Sequence, residues 1–113
     1  MENTRQQRIG RQIQRDMAEI FTREGAEIVR GSMVTVTAVR MSPDLGYARI
    51  YLSVFPFENN AAVMQAVESN AWLLRRELGR RIKDQLRTVP ELQFFLDDSL
   101  EYIERIDRTL QGR

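Results

Sequence analysis

Two neighbouring β-rich runs constrain the fold of this chain more than any other feature. Residues 33–41 read MVTVTAVRM, and residues 47–55 read YARIYLSVF. In the second run apolar residues alternate with Tyr47, Arg49, Tyr51 and Ser53, as expected of a strand with one buried face. The intervening SPDLG supplies turn chemistry, because Pro fixes φ and Gly is free to take positive φ. We predict an antiparallel hairpin whose second strand ends at Pro56.

The N-terminal segment is predicted to form an amphipathic helix over residues 4–23, followed by Gly25, which suits a helix end. Its apolar stripe consists of Ile9, Ile13, Met17, Ile20 and Phe21. The opposite side of the helical wheel carries Arg5, Arg8, Arg11 and Arg15.

The second half of the chain is predicted to be helix, kink, helix, strand and helix. Asn59 or Asn60 can cap a short helix, which breaks at Ser69-Asn70 because both residues compete for backbone hydrogen bonds. A longer helix is predicted over residues 71–87, before Pro90, and a strand over residues 92–96. An amphipathic helix over residues 100–110 completes the chain.

These elements follow one another in the order α-β-β-α-(kink)-α-β-α. A three-stranded sheet in such a chain buries its apolar face under the helices, giving a two-layer α+β fold. We find no repeat, low-complexity tract or linker, and we expect a single domain over residues 1–113.

Basic residues are concentrated in two segments, although the formal net charge is only +1. Residues 1–15 hold four arginines and one glutamate, and residues 71–90 hold six cations against two acids. Residues 91–113 reverse this balance, with three arginines against six acids. A basic surface can therefore exist on a protein whose total charge is close to zero.

Arginine suits phosphate recognition, because its planar guanidinium can donate two parallel hydrogen bonds. The helix predicted over residues 71–87 places four cations opposite its apolar stripe: Arg76, Arg80, Lys83 and Arg87. Periodicity alone favours RNA contact and an ordinary solvated face about equally. Arg75 and Arg81 flank the apolar stripe, so either residue can also be structural. Trp72 can stack on a base, and it lies beside the predicted kink.

The residue types present argue against catalysis and against a cofactor. The chain has no histidine and no cysteine, so the usual hydrolase triads, thiolate chemistry and disulfides are excluded. Asp97-Asp98 is interpreted as a helix cap rather than as a metal site. The polar N-terminus lacks a signal-peptide core, and no run is long enough for a membrane span, which favours a cytoplasmic location.

Four segments in order resemble the ribosome-binding factor A family of bacteria. The first is the helix with Arg5, Ile9, Ile13, Met17 and Ile20. The second is VTVTAVRMSPDL followed by ARIYLSV, at residues 34–45 and 48–54. The third is the 74–82 segment, LRRELGRRI, and the fourth is PELQFFLDDSL at residues 90–100. No single segment is specific, but together they cover most of the chain.

The resemblance implies a type II KH domain, with the order α-β-β-α-α-β. It implies a cytoplasmic protein that binds the immature 30S subunit and its 16S rRNA, assists late rRNA processing and matters most in the cold. It also implies no cofactor and no catalysis. In this family an Ala-x-Gly kink replaces the GXXG loop of other KH domains; the matching positions are 70–72, where Trp72 stands in place of the glycine.

These considerations predict one set of RNA-contacting residues. The set comprises Arg75, Arg76, Arg80, Arg81, Lys83 and Arg87 on the helix, Ser69, Asn70 and Ala71 at the kink, and Arg5, Arg8, Arg11 and Arg15 on the first helix. Three alternatives remain open: a KH-type binder of free single-stranded RNA, a protein-interaction module that uses the acidic C-terminal helix, and a small nuclease. With no oligomerisation signal in the sequence, we expect a monomer.

Overall fold

A computed structural model describes residues 3–98 of the protein. The first helix, α1, spans Thr4–Arg23, as the apolar stripe predicted. Asn3 caps it. The side chain of Asn3 accepts a hydrogen bond from the backbone N–H of Gln6 (2.8 Å), and the side chain of Gln6 accepts one from the backbone N–H of Asn3 (2.9 Å). This reciprocal capping box satisfies two backbone donors that the first turn leaves free.

The predicted hairpin is confirmed, with strands β1 at Met33–Met41 and β2 at Tyr47–Phe55. The strands are antiparallel, and a bulge lies between Val36 and Ala38. In the connecting turn Asp44 accepts hydrogen bonds from the Ser42 hydroxyl and from the Gly46 amide, and these bonds lower the pKa of the Asp44 carboxyl. A short helix, α2, spans Ala26–Val29 and leads into β1.

The remaining elements complete a three-stranded sheet in the order β1-β2-β3. A 3-10 turn at Phe57–Asn59 leads to helix α3, Asn60–Ser69, and helix α4 spans Ala71–Ile82. Strand β3, Glu91–Leu96, lies parallel to β2. The predicted order of elements is thus confirmed as far as Asp98, whereas the predicted helix over residues 100–110 lies outside the described residues.

The helices cover one face of the sheet and form a single apolar cluster with it. The largest fully buried side chains are Ile13, Met17, Ile20, Ile50, Leu52, Leu74, Leu78, Ile82, Val54, Val63, Val67 and Pro90. No helix between residues 3 and 98 has the length and apolar character needed to cross a bilayer.

Helix α1 packs closely along the outer edge of β1. Gly10 is buried there, and a Cβ atom at this position would lie 3.1 Å from the carbonyl oxygen of Val39. The side-chain amides of Gln6 and Gln14 donate hydrogen bonds to the carbonyl oxygens of Met41 (3.0 Å) and Val36 (2.9 Å). Two carbonyls that a further strand could pair with are therefore already occupied.

Two details of the sequence prediction are wrong. Helix α4 ends at Ile82 rather than at Arg87, and residues 83–85 form a turn. Periodicity suggested the longer helix because Leu86 continues the apolar stripe; Leu86 is indeed buried, but it reaches the core from the chain that folds back after the turn. Asn59 precedes α3 without capping it through its side chain, which donates to the Ser32 hydroxyl instead (2.8 Å).

One carboxylate of the Asp97-Asp98 pair has a partner in the sheet. The Asp97 carboxylate accepts a hydrogen bond from the Thr37 hydroxyl of β1 (2.7 Å), so this side chain is bonded to the sheet. The helix that the pair was predicted to cap lies beyond the described residues.

Candidate nucleic-acid interface

A shallow basic groove runs between α4 and the chain that returns from it to β3. It has a volume of about 460 Å³. We call it the α4 groove, and its lining consists of Trp72, Arg75, Arg76, Gly79, Arg87, Thr88 and Val89. Three of these seven residues are arginines and none is acidic, so the groove is suited to an anionic ligand.

Trp72 gives the α4 groove an aromatic surface. Its side chain is 64% exposed, and the guanidinium carbon of Arg76 lies 5.3 Å from the ring centroid, in a cation–π arrangement. An exposed indole beside arginines offers a nucleic acid both a stacking surface for a base and charge for the neighbouring phosphates.

Arg75 fixes the returning chain onto α4. Its Nε donates a hydrogen bond to the carbonyl oxygen of Pro90 (3.0 Å), and its Nη2 donates to that of Val89 (2.7 Å). Gly79 permits the same approach, since a Cβ atom there would lie 2.9 Å from Val89 Cγ2. These contacts hold the wall that carries Arg87.

A second cleft, of about 720 Å³, adjoins the α4 groove and shares Arg75 and Arg87 with it. Its lining adds Arg5 from the start of α1 and Lys83 from the turn after α4. The fold therefore brings Arg5 together with the cations that follow α4. Three acidic residues also line this cleft, namely Asp44, Asp84 and Glu91, so its charge is less uniform than that of the α4 groove.

Arg76 and Arg80 are exposed side chains of α4 that share the buried Glu77 carboxylate. The Glu77 carboxylate lies 3.2 Å from Arg80 Nη1 and 3.6 Å from Arg76 Nε. The arginine side chains remain 52% (Arg76) and 67% (Arg80) exposed. Both guanidinium groups keep donors that can reach a ligand.

Arg81 joins α4 to α1 rather than lining the α4 groove. Its guanidinium forms ion pairs with Glu19 and, at 3.5 Å, with Glu24, and its side chain is only 21% exposed. The hydrogen bond with Glu19 raises the pKa of Arg81 and lowers the pKa of the Glu19 carboxyl below its ordinary 4.5. Of the two arginines that flank the apolar stripe, Arg75 bonds to backbone carbonyls and Arg81 to carboxylates.

The predicted kink residues lie on a different side of α4. Ser69 and Asn70 line a hollow that also includes Glu24, Glu27 and Arg30 from the end of α1 and from around α2. Ala71 is partly buried against the core. The structure therefore separates the kink residues from the α4 groove.

The remaining arginines of α1 lie on its exposed surface, apart from the α4 groove. Arg11 lines a small hollow beside residues 37–40 of β1, and Arg15 donates a hydrogen bond to Gln12 (2.9 Å). Arg8 is also exposed. Of the four N-terminal arginines, Arg5 alone lines the cleft beside the α4 groove. Within residues 3–98 no cluster of acidic side chains is arranged to hold a metal ion.

Sequence comparison identifies the family. The family model for ribosome-binding factor A matches residues 5–110 of this chain. The chain belongs to the ribosome-binding factor A family. It is 42% identical to ribosome-binding factor A of Flavobacterium psychrophilum, with 100% of this chain and 88% of that protein covered. Ribosome-binding factor A of Cytophaga hutchinsonii is 39% identical, with coverage of 97% and 83%.

Solved structures of ribosome-binding factor A show the same fold. The crystal structure from Thermus thermophilus matches with a TM-score of 0.68 and 25% identity, covering 80% of this chain and 94% of that one. A homology model of the Thermus thermophilus protein, fitted into a cryo-EM map of a 30S–RbfA complex, matches with a TM-score of 0.62 and 27% identity, covering 78% and 90%. The predicted α+β, KH-like architecture is confirmed.

This member of the ribosome-binding factor A family forms its kink without a glycine. Asn70 separates α3 from α4: its side-chain amide donates to the Ala66 carbonyl (2.8 Å), closing the end of α3. The backbone carbonyl of Asn70 accepts hydrogen bonds from the backbone amides of Leu73 (3.0 Å) and Leu74 (3.1 Å), which begin α4. Because Asn70 serves both helix ends, Trp72 falls in the first turn of α4, where it lines the groove.

Proposed function

We propose that this protein binds the immature 30S ribosomal subunit through its 16S rRNA and assists late maturation of that rRNA. It acts as a cytoplasmic, monomeric, non-catalytic factor whose contribution is greatest in the cold. One observation supports this proposal above the others: the α4 groove combines an exposed tryptophan with arginines and no carboxylate in its lining.

The charges of the α4 groove define how RNA would bind. Arg76 and Arg87 contact phosphates, and Trp72 stacks on a base that is not paired. Arg80 and Lys83 extend the cationic surface along α4 and the following turn, and Arg5 extends it into the adjoining cleft. Phosphate contacts of this kind hold and orient an RNA segment without reading much sequence.

The other residues of the predicted RNA-contacting set either position structural elements or attract RNA from a distance. Arg75 and Arg81 are positioning residues, because their guanidinium groups already bond to the returning chain and to α1. Ser69, Asn70 and Ala71 form the junction of α3 and α4, where Asn70 hydrogen-bonds to both helices. Arg8, Arg11 and Arg15 add long-range attraction for RNA from the exposed surface of α1.

Such a contact assists maturation by holding rRNA in one conformation until processing is complete, or by preventing early joining of the large subunit. A binder of free single-stranded RNA would use the same chemistry. The difference lies in the partner: the proposed factor stays with small subunits through sedimentation, whereas the alternative does not.

Gradient sedimentation of a tagged protein in cell lysate tests the proposal. We expect the unchanged protein to comigrate with small subunits and their precursors, and not with joined ribosomes. The double variant Arg76→Gln/Arg87→Gln is expected to move to the top of the gradient. Arg23→Gln removes an exposed arginine outside the groove lining and is expected to sediment like the unchanged protein.

Two results would contradict the proposal. Migration of the unchanged protein only at the top of a low-salt gradient would argue for free RNA or for a protein partner. Comigration of the double variant with small subunits, at the level of Arg23→Gln, would show that the α4 groove is not the binding surface.

A further inference from the structure

The outer face of the sheet, turned away from the helices, also carries exposed cations and aromatic rings. From β2 it presents Tyr47, Arg49, Tyr51 and Phe55, whereas Ser53 on the same side of the strand is buried. The strand register places Arg40 of β1 directly opposite Arg49, and it places Gln93 of β3 on the other side of Arg49. We call this surface the outer sheet face.

Two arginines opposed across an antiparallel pair are an unfavourable arrangement. Like charges at directly opposite positions destabilise a sheet. Both Arg40 and Arg49 are exposed, and neither has an ion-pair partner within residues 3–98. A bound anion would relieve the repulsion between them.

Aromatic rings form the next row of the same face. Tyr51 and Phe95, which are register partners, stack with their centroids 5.4 Å apart and an interplanar angle of 25°. This row lies two residues along β2 from Arg49, a distance of about 6.7 Å. Phosphates held at the arginine row would therefore place neighbouring bases over the aromatic row.

A hollow lies where the arginine row meets the hairpin turn. Its volume is about 480 Å³, and it is lined by Arg40, Met41, Ser42, Pro43, Tyr47, Arg49 and Gln93. None of these residues is acidic. The face does carry two carboxylates outside the hollow: Glu91, beside Tyr47, and Asp97, bonded to Thr37.

We infer that the outer sheet face is a second nucleic-acid site, which binds single-stranded RNA. Arg40 and Arg49 hold phosphates, Tyr51 and Phe95 stack on unpaired bases, and the Gln93 amide is placed to bond a base edge. The hollow contains two arginines and no acidic residue, so its charge favours a polyanion such as RNA over an apolar partner. The exposed Tyr47 ring beside these arginines can stack on a base. The helices separate this face from the α4 groove, so the inference does not rest on the function proposed for that groove.

Trp72 makes the two sites distinguishable, because it is the single tryptophan of the chain and it lies in the α4 groove. The probe is a fluorescein-labelled 12-nucleotide oligouridine. Its anisotropy reports binding anywhere on the full-length protein, and tryptophan fluorescence reports binding in the α4 groove alone. An oligouridine with 5-iodouracil, crosslinked by light and mapped by mass spectrometry, identifies the aromatic residues in contact.

The variant Arg40→Thr/Arg49→Thr removes both cations and keeps residues that favour strands. We expect its Kd for the oligouridine to rise about tenfold at 0.1 M salt, and the slope of log K against log salt to fall by about 1.4, or about 0.7 per phosphate contact. We also expect its Tm to stay the same or rise, because the like-charge pair is gone. The dependence of tryptophan fluorescence on RNA concentration should not change.

Crosslinking is expected at Tyr51 or Phe95 in the unchanged protein and should fall in the double variant. An unchanged Kd and salt slope in the double variant would overturn the inference. That result would not bear on RNA binding in the α4 groove. Crosslinks confined to Trp72 would overturn it as well. If the substitutions abolish self-association in sedimentation equilibrium but do not alter RNA binding, the face binds a second copy of the chain and the inference is wrong.

Discussion

Arg75 and Arg76 are adjacent in sequence, yet the structure assigns them opposite roles, and replacing each with methionine tests this assignment. Methionine keeps much of the side-chain length and removes every donor. Arg75→Met breaks two hydrogen bonds, to the carbonyl oxygens of Val89 (2.7 Å) and Pro90 (3.0 Å). Arg76→Met removes an exposed guanidinium. Glu77, its ion-pair partner, is still paired with Arg80 at 3.2 Å in this variant.

The magnitudes follow from these contacts. A hydrogen bond from a charged group contributes about 1.5–3 kcal/mol when buried, and the low end applies here because both bonds are only partly buried. Because two such bonds are lost, we expect Arg75→Met to lower the free energy of unfolding by about 3 kcal/mol and the Tm by about 15 °C. Arg76→Met should change stability by less than about 0.5 kcal/mol, because the Arg76 side chain is exposed and Arg80 still neutralises the buried Glu77 carboxylate.

Thermal and urea unfolding, followed by circular dichroism, measure both variants under the same conditions. If Arg75→Met loses less than about 0.5 kcal/mol, or if Arg76→Met loses as much as Arg75→Met, Arg75 does not hold the returning chain in the way described.

Three further predictions concern other contacts. Trp72→Ala should weaken RNA binding by about 1–3 kcal/mol in a fluorescence titration of labelled RNA and leave the Tm unchanged; a loss of stability without a loss of affinity would refute this role. Gly10→Val should lower stability by about 2 kcal/mol in urea unfolding, because its Cβ atom would lie 3.1 Å from the Val39 carbonyl oxygen of β1; a neutral effect would contradict the packing of α1 on β1. Glu19 has a lowered pKa in the folded protein, so its bond to Arg81 stabilises the fold above pH 4.5 and is lost as the pH falls below that value. Glu19→Gln should therefore flatten the acid limb of the stability–pH curve, and an unchanged limb would exclude this linkage.

The element boundaries could largely be predicted from the sequence, because most segments have a clear apolar period. The stripe of α1 and the alternation of β2 each define a buried face without help from tertiary contacts. The same reasoning failed at the end of α4. Leu86 occupies the position that a continuing helix would bury, and periodicity does not distinguish that helix from a chain that folds back to bury the same side chain.

The candidate site was only partly predictable for a related reason. Helical spacing places Arg76 and Arg80 on the exposed side, but it does not show that Arg75 bonds to Val89 and Pro90, or that Arg81 meets Glu19. Those partners lie on other elements, and only the folded chain brings them together.

The outer sheet face shows the same limit of the sequence. Alternation predicted that Arg49 points away from the buried face of β2. It could not predict that Arg40 lies opposite, because that pairing depends on the register that the turn sets for the hairpin.

The salt dependence of binding to purified small ribosomal subunits tests the central claim most directly, with Arg87→Gln and Arg81→Gln compared against the unchanged protein. Arg87 lines the α4 groove, whereas the Arg81 guanidinium is paired with Glu19 of α1 and with Glu24, which follows that helix. We predict that Arg87→Gln lowers the slope of log K against log salt by about 0.7–0.9 with little change in Tm. Arg81→Gln should keep the slope and lower the Tm. Equal slopes for the unchanged protein and Arg87→Gln, or a lower slope for Arg81→Gln alone, would contradict the account.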